Sequence, residues 1–263
     1  MFITRLISGI VLVAVAIGAI CKGGLILAGV LLFLALAGMR EYYRATGLSG
    51  KPMTWLELTA YIGAVGYFAA LVFLGNEYLL PVLAASCVLV LFLYVIMYPT
   101  FRSLEAAGYV FALVYIVVML GFVYMIRCRF KGNVEVWLIF LGSWGADTCA
   151  YCVGRLFGRH KMAPVLSPKK SVEGAIGGIA GAAALGLIYA LIFKQPLVIY
   201  MVISAVTAVV SMFGDLAASA VKREAGLKDY SHLIPGHGGV LDRFDSLLFA
   251  APIVYLCCLL FLE

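Results

Sequence analysis

Charge is scarce in this chain: only 12% of its 263 residues are Asp, Glu, Lys or Arg, against 65% that are hydrophobic. A soluble domain carries about 25% charged residues, so the composition is that of an integral membrane protein. No polar stretch is long enough to bury a core of its own, so a second, soluble domain is not expected. Strict apolar-polar alternation is also missing, and with it the pattern of a membrane β-barrel. The seven cysteines, at 21, 87, 128, 149, 152, 257 and 258, lie mostly in apolar runs without paired metal-ligand spacing. They read as small packing residues rather than a disulfide or zinc framework. Cys149-Ala-Tyr-Cys152 sits within a hydrophobic helix instead of beside a strand-helix turn, which argues against a redox pair. The net charge of +6 fits basic loops facing anionic lipid and implies no nucleic-acid partner.

What the chain has in abundance is long apolar runs. Candidate spans are Leu6 to Cys21, Leu25 to Met39, Leu58 to Leu74, Tyr78 to Tyr98, Ala106 to Met125, Val136 to Val153, Gly174 to Phe193, Leu197 to Val221 and Ser246 to Leu262. The expected fold is therefore all-α and polytopic, with about nine transmembrane helices. The first two runs read as a hairpin turning at Lys22, Gly23 and Gly24. With the amino terminus inside, fourteen of the 19 basic residues fall on the inner side, leaving Lys22, Arg127, Arg129, Lys131 and Lys194 outside. This bias puts the polar carboxyl-terminal loops on the cytoplasmic side of the cell membrane.

Chemistry-bearing residues are unevenly spread. All five aspartates (147, 215, 229, 242, 245) and all three histidines (160, 232, 237) lie in the carboxyl-terminal half. Residues 1–135 therefore read as helices without evident chemistry and residues 136–263 as the catalytic region of one integrated membrane domain. Arg40, Glu41 and Arg44 read as interfacial anchors, and Tyr42, Tyr43, Trp55 and Tyr61 as an interfacial aromatic belt.

The most polar stretch is Ser219 to Asp245. If Leu197 to Gly226 is one helix, Asp215, Ser219 and Lys222 share a stripe, with Lys222 roughly 10 Å above Asp215. A carboxylate below and an ammonium above suits a metal-bound polyphosphate. The helix should stop at Gly226, and Pro235, Gly236, Gly238 and Gly239 predict a loop whose backbone N–H groups can approach an anion. Asp242 and Asp245 open the last hydrophobic segment, where they also suit a helix start. Upstream, Asp147, Tyr151, Gly154 and Arg155 share a helical face, and a structural partnership of Asp147 with Arg155 competes there with catalysis. Lys169 and Lys170 stand at a helix entrance that attracts phosphate, with either Ser167 or Ser171 as the cap. Gly174, Gly177, Gly178 and Gly181 predict a smooth face for close helix packing.

Ser219, Lys222, Arg223, Lys228, Asp229, Ser231, Ile234, Pro235, His237, Gly238, Gly239, Asp242, Arg243 and Asp245 stand at the spacings of a long motif. The chain there resembles the phosphatidate cytidylyltransferases, or CDP-diacylglycerol synthases. Asp147-Thr148 with Tyr151, Gly154, Arg155 and Gly158, and Ser167-Pro-Lys-Lys with Glu173, Gly174, Gly177 and Gly178, resemble the same family, with Ser171 where threonine is common. The resemblance implies transfer of the cytidylyl group of CTP to phosphatidate with release of pyrophosphate, and suggests a homodimer among membrane lipids. For that reaction we expect Mg2+ on Asp215 and Asp242, with Asp147 and Asp245 as further carboxylates and Lys222 and Arg223 at the reacting phosphates. Ser167, Lys169, Lys170, Ser219, Lys228, His237, Gly238, Gly239 and Arg243 would bind substrate. The D-G-x-x-A-R motif of CDP-alcohol phosphatidyltransferases is absent. An ion-coupled transporter with intramembrane carboxylates is the non-enzyme alternative, against which stands the lack of repeated halves.

Overall fold

The computed structural model describes residues 2–49, 53–236 and 238–263. Its helices are α1 (Phe2–Lys22), α2 (Gly24–Ala45), α3 (Trp55–Phe73), α4 (Asn76–Ile96), α5 (Ser103–Arg129), α6 (Gly132–Phe157), α7 (Val172–Phe193), α8 (Leu197–Glu224) and α9 (Leu241–Phe261). Among the described residues eight of them, α2 to α9, are long and apolar enough to cross a bilayer. This is an all-α, multi-pass membrane protein. Among the described residues the count of about nine spans is not confirmed, α1 contributing a shorter apolar stretch there, Ile7–Lys22.

The chain divides into two compact units, Met1–Tyr124 with Asp229–Arg243, and Met125–Lys228 with Phe244–Glu263. In the first unit, α1 and α2 part at Gly23, and Gly23 and Gly24 both take positive φ (65° and 51°). That backbone is open to glycine at little cost. Thr54 caps α3 by accepting from Glu57 N–H at 3.1 Å. The expected aromatic belt is only partly one: Trp55 is 64% exposed, but Tyr43 is fully buried, its ring 4.9 Å from Tyr109 and 5.8 Å from Tyr61. Edge-to-face contacts of this kind reward burial of the rings inside the bundle rather than at its rim.

The second unit is built on a seam of small residues. A Cβ at Gly177 would lie 2.5 Å from Val153, and one at Gly178 3.0 Å from Ala150, so α7 lies against the last turns of α6 with no room for a side chain. Gly186 likewise accommodates Ser204 of α8. Ala146, Ala182 and Ala208 close the centre of the seam, one from each of α6, α7 and α8. Gly177→Ala is accordingly expected to destabilise the protein by about 1–3 kcal/mol through overpacking. Thermal unfolding in detergent measures this, and an unchanged midpoint would contradict it. Between α6 and α7 runs a two-stranded antiparallel ribbon, β1 (Lys161–Ala163) and β2 (Ser167–Ser171), with Lys161 opposite Ser171 and Ala163 opposite Ser167. The absence of strands expected from composition therefore fails locally, since a short polar connection can pair with itself where the long apolar runs do not. The ribbon also decides the cap of α7: Ser171 accepts from Gly174 N–H at 3.2 Å, whereas Ser167 lies within β2. At the other end of the unit, Arg129 forks onto Glu263 at 2.8 and 3.0 Å and reaches Tyr255 Oη at 3.1 Å.

Candidate active site

In the second unit four elements contribute to one group of charges. Helix α8 runs unbroken from Leu197 to Glu224, so Asp215, Ser219 and Lys222 do share its stripe. Ser219 Oγ–H points at Asp215 Oδ1 at 3.5 Å. Lys170, on β2, makes an ion pair with Asp215 Oδ2. Asp147 on α6 lies in the electrostatic field of both Lys170 and Asp215. Asp245 on α9 is in turn within reach of Asp215, Lys222 and Asp147. Three aspartates and two lysines thus act on one another, and both Lys222 and Asp245 are buried, at 8% and 7% exposure. Opposite charges at this density stabilise each other only while the balance is kept.

Alternation along β2 separates the two expected lysines: Lys170 turns to Asp215 while Lys169 is exposed. Arg223 and Lys228 are also exposed, and Arg223 donates to Leu227 O at 2.8 Å, closing the end of α8. Ser167 is half-buried. Arg155 donates to Tyr151 Oη at 3.4 Å, while the charges acting on Asp147 are those of Lys170 and Asp215. A widened π turn at Leu141–Gly145 stands just before Asp147 in α6, a departure from regular helix that recurs at functional sites.

The glycine-rich loop belongs to the first unit, and several of its backbone donors are engaged internally. Asp242 Oδ2 accepts from Tyr230 N–H at 2.8 Å and Gly239 N–H at 2.9 Å. Glu41 Oε1 accepts from Ser231 Oγ–H at 2.6 Å and Val240 N–H at 2.9 Å, and its Oε2 from Leu241 N–H at 2.7 Å. Of the glycine amides expected to meet an external anion, that of Gly239 is therefore held by a carboxylate of the chain itself, as are the amides of Val240 and Leu241. Gly238 takes a φ of 87°, where its absent Cβ leaves space beside Asp242. His237 lies outside the described residues. Arg243 is half-buried, and its Nε is enclosed with no hydrogen-bond acceptor among the described residues.

Glu41 is the residue that sequence reasoning missed. Placed between two arginines at a helix end, it read as an anchor, yet it is 4% exposed. The available signal was its isolation: it is the only acidic residue in α2, and a lone carboxylate in an apolar segment is costly unless it is bound.

Among the described residues no three His, Cys, Asp or Glu side chains are arranged to hold a metal by themselves. Asp147, Asp215 and Asp245 offer only oxygen donors, the kind preferred by Mg2+, which is commonly held by one or two carboxylates and completed by phosphate and water.

Residues 3–261 match the sequence model described as Cytidylyltransferase family. Among curated proteins, the chain is 32% identical over 258 residues to the phosphatidate cytidylyltransferase of Staphylococcus saprophyticus, covering 95% of this chain and 96% of that protein. It is 33% identical over 261 residues to the protein of the same name from Staphylococcus epidermidis, with the same coverage. The Staphylococcus aureus counterpart is 30% identical over 257 residues, again covering 95% and 96%. These names lend the transporter alternative no support.

Proposed function

Because this chain belongs to the cytidylyltransferase family, we propose that it transfers the cytidylyl group of CTP to phosphatidate, giving CDP-diacylglycerol and pyrophosphate. A phosphate oxygen of phosphatidate attacks the α-phosphorus of CTP. The bond from that phosphorus to the bridging oxygen breaks, and its electron pair leaves with pyrophosphate. The nucleophile is already an anion, so no side chain has to take a proton from it. What remains for the protein is positioning and the management of charge.

The observation that best supports this reading is the mixed cluster in the second unit, where Lys170 meets Asp215 and Lys222 acts on Asp245. Lysines in such a setting receive phosphate oxygens, while bare aspartates would repel a triphosphate. Mg2+, when bound, would be held by Asp215 with Asp147 and Asp245 beside it, and would supply charge neutralisation for the triphosphate. Ser219 orients Asp215 from one turn along α8. Arg243, with an enclosed Nε–H that lacks an acceptor among the described residues, is suited to a phosphate oxygen. Lys169, Arg223 and Lys228 are exposed and raise the local concentration of anions by long-range attraction. The side of the membrane proposed for this chemistry is the cytoplasmic one, where CTP is supplied.

Purified protein incubated with cytosine-labelled CTP, phosphatidate and Mg2+ should convert the label into a chloroform-soluble product, and diacylglycerol in place of phosphatidate should give none. Label that stays wholly aqueous with phosphatidate present would overturn the proposal.

A further inference from the structure

The loop from Tyr230 to Leu241 is closed by two carboxylates that grip it differently. Asp242 is local, accepting from Tyr230 and Gly239 N–H groups at 2.8 and 2.9 Å. Glu41 comes from α2, about 200 positions away in sequence, and receives the hydroxyl of Ser231 and the amides of Val240 and Leu241 within 2.9 Å. The two amides belong to the entrance of α9, where donors have no partner within the helix. A carboxylate at that end is further favoured by the helix dipole. Gly239 leaves just enough room, since a Cβ there would stand 2.6 Å from Glu41 Oε2.

Two residues beyond Leu241 lies Arg243, in the same first turn, with its buried Nε–H facing no acceptor among the described residues. A buried donor in that state is suited to an acceptor supplied by a ligand. We propose that Glu41 is a positioning residue for phosphate binding: by fixing the first turn of α9 it sets the place at which the Arg243 guanidinium receives a phosphate oxygen of the nucleotide. The assignment rests on the phosphoryl-transfer reading given above. The role needs a carboxylate rather than any polar group. Three donors converge on two oxygens, and the NH2 of an amide would turn a donor toward at least one of them.

The experiment compares full-length wild type, Glu41→Gln, Ser231→Ala and the double variant. It measures kcat and KM for CTP alongside hydrogen–deuterium exchange across the chain. Glu41→Gln should raise exchange in peptides spanning 229–243 while peptides of the second unit keep their wild-type protection. Its kcat/KM for CTP should fall about a hundredfold, the scale of a misplacement near 1 Å. Ser231→Ala removes one of three bonds and should cost about two- to tenfold. Added to Glu41→Gln it should cost nothing more, because both act through one loop. Wild-type kinetics in Glu41→Gln despite a loosened loop would overturn the proposal, as would lost activity with loop exchange unchanged. If Glu41→Gln loses protection throughout the chain, Ser231→Ala alone decides, and wild-type kinetics with a loosened loop would then reject the role. Should the wild-type protein form no lipid product, the transfer reading fails separately. Binding of CTP then replaces turnover, and equal affinity in wild type and Glu41→Gln would reject the positioning role.

Discussion

Asp215→Asn is expected to lower cytidylyl transfer roughly a hundred- to thousandfold, the usual loss when one preorganised electrostatic contact is removed from a reacting centre. It should also raise the Mg2+ concentration needed for half-maximal rate. Asparagine keeps the volume and removes the anion, so the packing of α8 in its small-residue seam survives. What is lost is the charge that pairs with Lys170 and acts on both Asp147 and Asp245. A Mg2+ titration of product formation reads both quantities, and normal rate with an unshifted midpoint would remove Asp215 from the proposed ligands. Asp242→Asn is the informative companion. A raised midpoint would give Asp242 the metal role expected from sequence, whereas a lower rate at an unshifted midpoint would assign it to the loop that its Oδ2 holds. Asp229→Asn should change less than either.

Lys170→Gln should also cost about a hundredfold in kcat/KM, but with the opposite effect on the metal. A divalent cation held by Asp215 would compete with Lys170 for the same carboxylate, so taking away the ammonium leaves the carboxylates less neutralised and should lower the Mg2+ midpoint. Lys169→Gln, one residue along the strand and facing away, should stay within about tenfold, in keeping with a screened surface charge. Kinetics for CTP and for phosphatidate in both variants decide the matter. Equal effects of the two replacements would mean that the lysines serve only as a diffuse basic patch.

Much of the fold was legible because membrane spans announce themselves one residue at a time. The runs from Leu25, Leu58, Gly174 and Leu197 all became helices, and the glycines from Gly174 to Gly181 proved to face α6 as close packing requires. The ribbon at Lys161 to Ser171 was not legible, since Ser-Pro-Lys-Lys-Ser is too short to show a period and offers two equivalent caps. Tyr43 was misplaced for a related reason. An aromatic ring near the end of an apolar run satisfies a belt and a buried cluster equally well until its neighbours are known. Glu41 shows a further limit: its partners lie about 200 residues away, and nothing in the local sequence of α2 points to them.

The widened turn at Leu141–Gly145 has a consequence for the bookkeeping of residues in this helix. A π turn holds one residue more than the α-helical turn it replaces, so positions before and after it cannot be indexed on a single helical wheel. Glu135, bound by Tyr200 at 2.9 Å, and Asp147 are both directed to α8 because the extra residue resets the phase between them. Regular winding over the same number of residues would rotate everything beyond the turn by about 100° about the axis. Asp147 would then swing away from Asp215, and the glycine-matched face of α6 would turn from α7. Deleting one residue within the turn would instead restore regular winding with the phase kept, so a single-residue loss there disturbs the faces beyond it less than the same loss elsewhere in the helix.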